Sequence, residues 1–235
     1  MEIKTFKNPE ATAKAFADYL SEIQQEVNRL NIALSGGSTP KLLFEILVHK
    51  YSDKIEWPKF HFYWGDERCV PPTSGESNYG MTHEYLFQHL DISEENIHRV
   101  FGECDPDEEA VRYGKLISEN LPPINGLPQF DLIILGLGED GHTASIFPHQ
   151  MELITSKKVC EVAEHPTSGQ KRITLTGSVI NNAKEVCFLV TGQAKAEKVR
   201  EILNLTGDCE HYPASYIKPT HGELSWFLDK AASGK

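Results

Sequence analysis

No stretch of the sequence is apolar for long enough to cross a bilayer, and the N-terminus, Met1 to Pro9, has no apolar signal core. Cysteine is scarce. The five present (Cys69, Cys104, Cys160, Cys187, Cys209) are odd in number and widely spaced, with no C-x-x-C pair. That pattern offers neither a disulfide framework nor a zinc ribbon and fits a reducing compartment, so a cytoplasmic protein is expected. Ten histidines show no H-E-x-x-H or comparable spacing, and no metal site is expected. Basic charge is also in deficit: 23 Lys and Arg against 34 Asp and Glu leave a net charge of −11. A body this acidic lacks the broad basic face that displaces counterions from nucleic acid, although a locally positive pocket for a small anion remains compatible with it. Repeats and low-complexity tracts are absent, and nothing implies a membrane or an obligate protein partner.

What is present is ordinary globular composition, 235 residues with 40% apolar and 24% charged. Glu2–Phe6 alternates as a strand does. From Pro9 to Leu30, the residues Ala13, Phe16, Ala17, Leu20, Ile23 and Val27 recur at helical spacing. Ile32–Leu34, Phe60–Trp64, Leu132–Leu135 and Val186–Val190 are short, continuously apolar or aromatic runs between helix-compatible stretches. Such runs predict parallel strands covered on both faces. The expectation is an α/β fold over residues 1–235 as a single domain. Pro71–Gly75, Gly102–Asp107, Leu121–Gln129 and His165–Gln170 read as loops, none marking a domain boundary.

Ligands in open α/β sheets bind beyond the carboxyl ends of strands, so the turns after the apolar runs carry the chemistry. Ser35-Gly36-Gly37-Ser38-Thr39-Pro40 precedes a helical stretch, Lys41–His49, with Ser38 or Thr39 placed to cap it. It reads equally as a phosphate cradle or as an ordinary capped turn, and it is neither a P-loop nor a nucleophile elbow. Trp64-Gly65-Asp66-Glu67-Arg68 offers a carboxylate and a cation, although such triplets are usually solvated. Gly136, Gly138 and Gly141 spell G-x-G-x-x-G, but Pro148 would cut short the helix that a dinucleotide needs. His142, two residues after Asp140, fits a general base with an orienting carboxylate better. Arg172 and Lys195 add two cations, Lys195 just beyond Val186–Val190. Taken together, these turns describe a pocket for a phosphorylated polar substrate.

The same segments, S-G-G-S-T-P, W-G-D-E-R, S-N-Y-G, D-G-H-T-A-S-I-F-P, K-R-I-T-L-T, V-T-G-Q-A-K-A and W-F-L-D, resemble the 6-phosphogluconolactonases almost from end to end and in order. The resemblance implies a mainly parallel Rossmann-like sheet flanked by helices, as in the glucosamine-6-phosphate deaminases. It also implies hydrolysis of 6-phosphogluconolactone, the second step of the oxidative pentose phosphate pathway, with no metal or organic cofactor. On that reading the partner is a small phosphorylated sugar lactone. His142 is the base, Asp140 or Asp66 holds the imidazole or the water, and Arg68 or a glycine turn meets the oxyanion. Ser35 and the Gly36–Thr39 turn, with Arg172 and Lys195, take the substrate's phosphate end. The deaminases carry a glutamate five residues after the histidine and a tyrosine after the D-E pair, where this chain has Phe147 and Arg68.

Overall fold

The alternation of apolar runs and amphipathic stretches resolves, in a computed structural model describing residues 1–235, into eleven strands and six α-helices. In chain order the strands are β1 (Glu2–Phe6), β2 (Leu30–Leu34), β3 (Phe60–Trp64), β4 (Asp66–Arg68), β5 (Pro123–Ile124), β6 (Leu127–Pro128), β7 (Leu132–Leu135), β8 (Cys160–Glu164), β9 (Lys171–Leu175), β10 (Glu185–Val190) and β11 (Glu223–Asp229). The helices are α1 (Pro9–Ile23), α2 (Ser38–Tyr51), α3 (Asn78–Tyr85), α4 (Pro106–Asn120), α5 (Gly177–Ile180) and α6 (Ala196–Asn204).

Six strands form one sheet in the order β1-β11-β10-β7-β2-β3, with every neighbouring pair parallel. Every residue of β2 and β7 is buried, so both faces of the central strands are covered, which is why they are apolar without alternation. Phe188 of β10 stacks on Trp226 of β11 at 4.0 Å, and Phe16 of α1 meets Phe227 edge-on at 4.9 Å. The fold is the Rossmann-like α/β arrangement expected. The chain steps outward from β2 to β3, whereas β7, β10 and β11 lie on the other side of β2. The winding reverses between β2 and β7, and the turns after those two strands flank the resulting crevice.

One boundary differs from expectation, and one sheet was not expected. Helix α1 starts as read, with Asn8 accepting from the Ala11 amide, but it ends at Ile23 rather than Leu30. Val27 is extended, and Leu30 pairs with Phe60 in the sheet, so tertiary pairing overrides the helical spacing. Beyond β3, Gly65 leads into a separate antiparallel sheet, β4-β9-β8, that no local pattern announced. Gly65 joins the two layers: its amide donates to Leu34 O at 2.8 Å, and its carbonyl accepts from the Leu175 amide at 2.8 Å.

Candidate active site

Helix α2 begins at Ser38, with Gly37 at the cap position and φ of 108°. Neither Ser38 nor Thr39 caps it by a side-chain bond, contrary to expectation. Being inside the helix, they cannot adopt the extended cap geometry, and the Thr39 hydroxyl lies 2.8 Å from that of Thr191 in the turn after β10. The amides of Ser38 and Thr39 are left without intrahelical acceptors, and Pro40 has none to offer, so the start of α2 is receptive to an anion.

The turn after β7 is folded around His142. The Gly138 amide donates to His142 O at 2.8 Å, and a Cβ on Gly138 would lie 2.1 Å from His142 Nδ1. Only glycine leaves room for the imidazole there. Nδ1 sits 2.5 Å from Asp140 Oδ1, which also accepts from the His142 amide at 3.1 Å. Burial pushes the Asp140 carboxyl up, but the bond and charge of His142 outweigh it and hold the group at about 2. An ionised carboxylate only accepts, so Nδ1 is the nitrogen that donates to Asp140, and Nε2 is the one that offers a lone pair whenever the imidazole is uncharged. No helix follows Gly141; residues 148–154 form a kinked 3-10 segment, which removes the dinucleotide reading.

Asp66 is not the partner of that ring. It is 6% exposed, not solvated, and its Oδ2 accepts from Ser145 Oγ at 2.6 Å. Its neighbour Glu67, 2% exposed, accepts from the amides of Arg68, Asn78 and Tyr79 at 2.7 to 2.8 Å and from Ser77 Oγ at 3.1 Å. Glu67 thereby fixes the start of α3 and with it Asn78. Asn78 Nδ2 donates to Asp66 O at 2.9 Å, and the side chain lies over Gly36, whose absent Cβ would fall 1.8 Å from Asn78 Oδ1.

Arg68 and Arg172 are directly opposed in the β4–β9 register. Arg68 Nη1 donates to Glu76 O at 2.7 Å, and Arg172 Nη1 reaches Ser145 Oγ at 3.4 Å. The Nε of each is buried without a hydrogen-bond partner. Burial, and then the charge of Arg68, lower the Arg172 pKa. Lys195, just before α6, lies 3.9 Å from Glu139.

Ser35, Gly36, Asp66, Arg68, His142, Arg172 and Lys195 line one cleft of about 190 Å³. Asp140 stands behind His142, while Gly37 lines an adjoining groove and Ser38 and Thr39 lie in the first turn of α2. Sequence reasoning missed Asn78, which also lines the cleft, and the supports Glu67 and Ser145. Asn78 sits in the quoted S-N-Y-G segment, the one signal that pointed near it. Phe147, fully buried, faces the His142 ring at 4.7 Å, so no second carboxylate flanks the imidazole from that position.

Residues 7–226 match the family described as glucosamine-6-phosphate isomerases/6-phosphogluconolactonase. The chain is 45% identical to the 6-phosphogluconolactonase of Haemophilus influenzae over 226 residues, covering 94% of this chain and 95% of that one. It is similar to the structure of 6-phosphogluconolactonase from Trypanosoma brucei at a TM-score of 0.87 and 30% identity, covering 99% and 97% of the two chains. A monomeric glucosamine-6-phosphate deaminase, 21% identical over 100% of this chain and 99% of its own, shares the fold at a TM-score of 0.84. Because the family model spans nearly the whole chain and these relatives are matched at this identity over almost their full length, the chain belongs to the glucosamine-6-phosphate isomerase/6-phosphogluconolactonase family.

Proposed function

We infer that the chain hydrolyses 6-phospho-D-glucono-1,5-lactone to 6-phospho-D-gluconate, the second step of the oxidative pentose phosphate pathway. The observation that carries the reading is a histidine–aspartate pair sharing a small cleft with three cations, Arg68, Arg172 and Lys195. Nε2 of neutral His142 takes a proton from a water attacking C1, and the imidazolium then returns it to the departing ring oxygen. Asp140 holds the ring in the required tautomer and stabilises its charged form. Asp66, tied to Ser145 and Asn78, shapes the cleft wall beside the sugar. The substrate's phosphate lies against the start of α2, with Arg172 and Lys195 around it. Because Arg68 stands beside Arg172, we assign it to the same anion and leave the C1 oxyanion to backbone N–H groups of the glycine turns. Anchoring the far end of the sugar places C1 at the water.

This site draws on β2, β4, β7, β9 and β10, so we treat residues 1–235 as one domain. A reducing cytoplasmic setting accompanies the reading, supported by five free thiols. Lactone hydrolysis, corrected for the spontaneous rate, is the test. General acid–base catalysis contributes about 10²–10⁴-fold, so His142→Ala should lose that much turnover while its phosphate affinity stays unchanged. Wild-type turnover in that variant sinks the assignment. Ammonia release from glucosamine 6-phosphate would instead favour the deaminase reading, against which Phe147 beside His142 stands.

A further inference from the structure

Packed against the histidine turn, and not among the residues that line the cleft, is a segment that the reaction does not use. Tyr212, 6% exposed, presses its ring against Gly141, so that a Cβ there would fall 2.4 Å from Cγ of the tyrosine. Two residues on, the Ala214 amide donates to Gly141 O at 3.1 Å. Gly141 has φ of 84° and immediately precedes His142, so its placement sets the direction from which the imidazole enters the cleft. The tyrosine is itself held. Its hydroxyl donates to Glu201 Oε2 at 2.6 Å and accepts from Lys198 Nζ at 2.7 Å, and these two groups lie 3.3 Å apart on α6. The N-cap of α6 is Lys195, which lines the cleft. One helix therefore braces the histidine turn and presents a cation to the substrate.

We propose that Tyr212 is a positioning residue for His142, a strut between α6 and Gly141 that keeps Nε2 aimed at C1. The proposal rests on His142 being the base. It explains why a tyrosine, and not merely an apolar residue, fills this place: the ring supplies the contact and the hydroxyl fixes the ring. A displacement of about 1 Å at a catalytic group can cost on the order of 10²-fold in rate. Loss of the strut is thus expected in kcat, and KM should hold because Lys195 and the arginines keep their own supports.

The test is a double-mutant cycle on the full chain, measuring kcat and KM for 6-phosphogluconolactone. Tyr212→Ala should lower kcat by roughly 10- to 100-fold and Tyr212→Phe by roughly 3- to 10-fold, with KM within about twofold. In a His142→Ala background both losses should vanish, because a residue that acts only through His142 has nothing left to position. Should Tyr212→Ala fail to fold, Tyr212→Phe decides alone in the same cycle. Equal losses in both backgrounds, a change confined to KM, or unchanged kcat in the Tyr212 variants beside an impaired His142→Ala overturns the strut alone. Wild-type turnover in His142→Ala overturns the base assignment, and the strut with it.

Discussion

Arg68 and Arg172 stand directly opposite each other across the β4–β9 pair, each with a buried Nε that has no hydrogen-bond partner. Like charges facing each other across an antiparallel pair cost stability. Neither arginine forms a salt bridge with a carboxylate, which supports the proposed role of the pair in binding an anion supplied from outside the chain.

Inorganic phosphate should therefore raise the thermal midpoint of the protein. Binding to the folded state alone contributes about 2.7 kcal/mol at a concentration of about 100 times Kd. Arg172→Ala should remove most of that phosphate-dependent gain. It should also weaken affinity for the phosphorylated lactone, leaving an unphosphorylated lactone nearly unaffected. Thermal melts across a phosphate series, with KM for both lactones, check this.

Asp140→Asn should lower turnover on the order of 10²-fold or more, because the neutral amide no longer fixes the tautomer or stabilises the imidazolium. Its effect on stability has a definite sign. The Asp140 carboxyl is held at about 2, below its ordinary 3.8, so its contribution is present above the ordinary value and is lost as pH falls through the folded value. Thermal midpoints of wild type and Asp140→Asn, measured between about pH 5 and pH 2, should converge towards the acid end.

Gly138→Ala tests the seat of the histidine. A Cβ there would overlap His142 Nδ1 and would also lie 2.6 Å from Asp140 Oδ1, so the ring must move out of its pairing geometry. Turnover should fall by about 10²-fold, with affinity for phosphate retained, since the anion residues lie on other strands. Isothermal titration with phosphate beside the lactone assay separates the two effects.

Glu67→Gln should destabilise the fold by about 1–3 kcal/mol, because an amide nitrogen replaces one of the acceptor oxygens that face the amides at the start of α3. Urea unfolding measures the loss. A rise in KM should accompany it, as Asn78 is displaced from the cleft wall.

Local sequence disclosed the parts of this protein whose physics is local. Strands β2, β7 and β10 were legible because central parallel strands need apolar residues on both faces, and the edge strand β3 because its aromatic run is almost wholly buried. The start of α1 was legible because apolar residues recur at helical spacing from Pro9 onward. Asp140 and His142 could be paired from their two-residue spacing among glycines, although the choice between Asp140 and Asp66 required coordinates. The β4-β9-β8 sheet stayed hidden because β4 is only three residues long and finds its partner far along the chain.

Amino-acid sequence by itself determined an α/β chain, the strand ends that carry its chemistry and the identity of its candidate base. Only tertiary structure decided which groups meet. Register across β4 and β9 sets Arg68 against Arg172, Glu67 brings Asn78 over Gly36, and α6 places Tyr212 behind Gly141. The reason is that composition and periodicity report how a segment is buried, whereas a contact between distant segments depends on sheet order, register and packing, which no local pattern encodes.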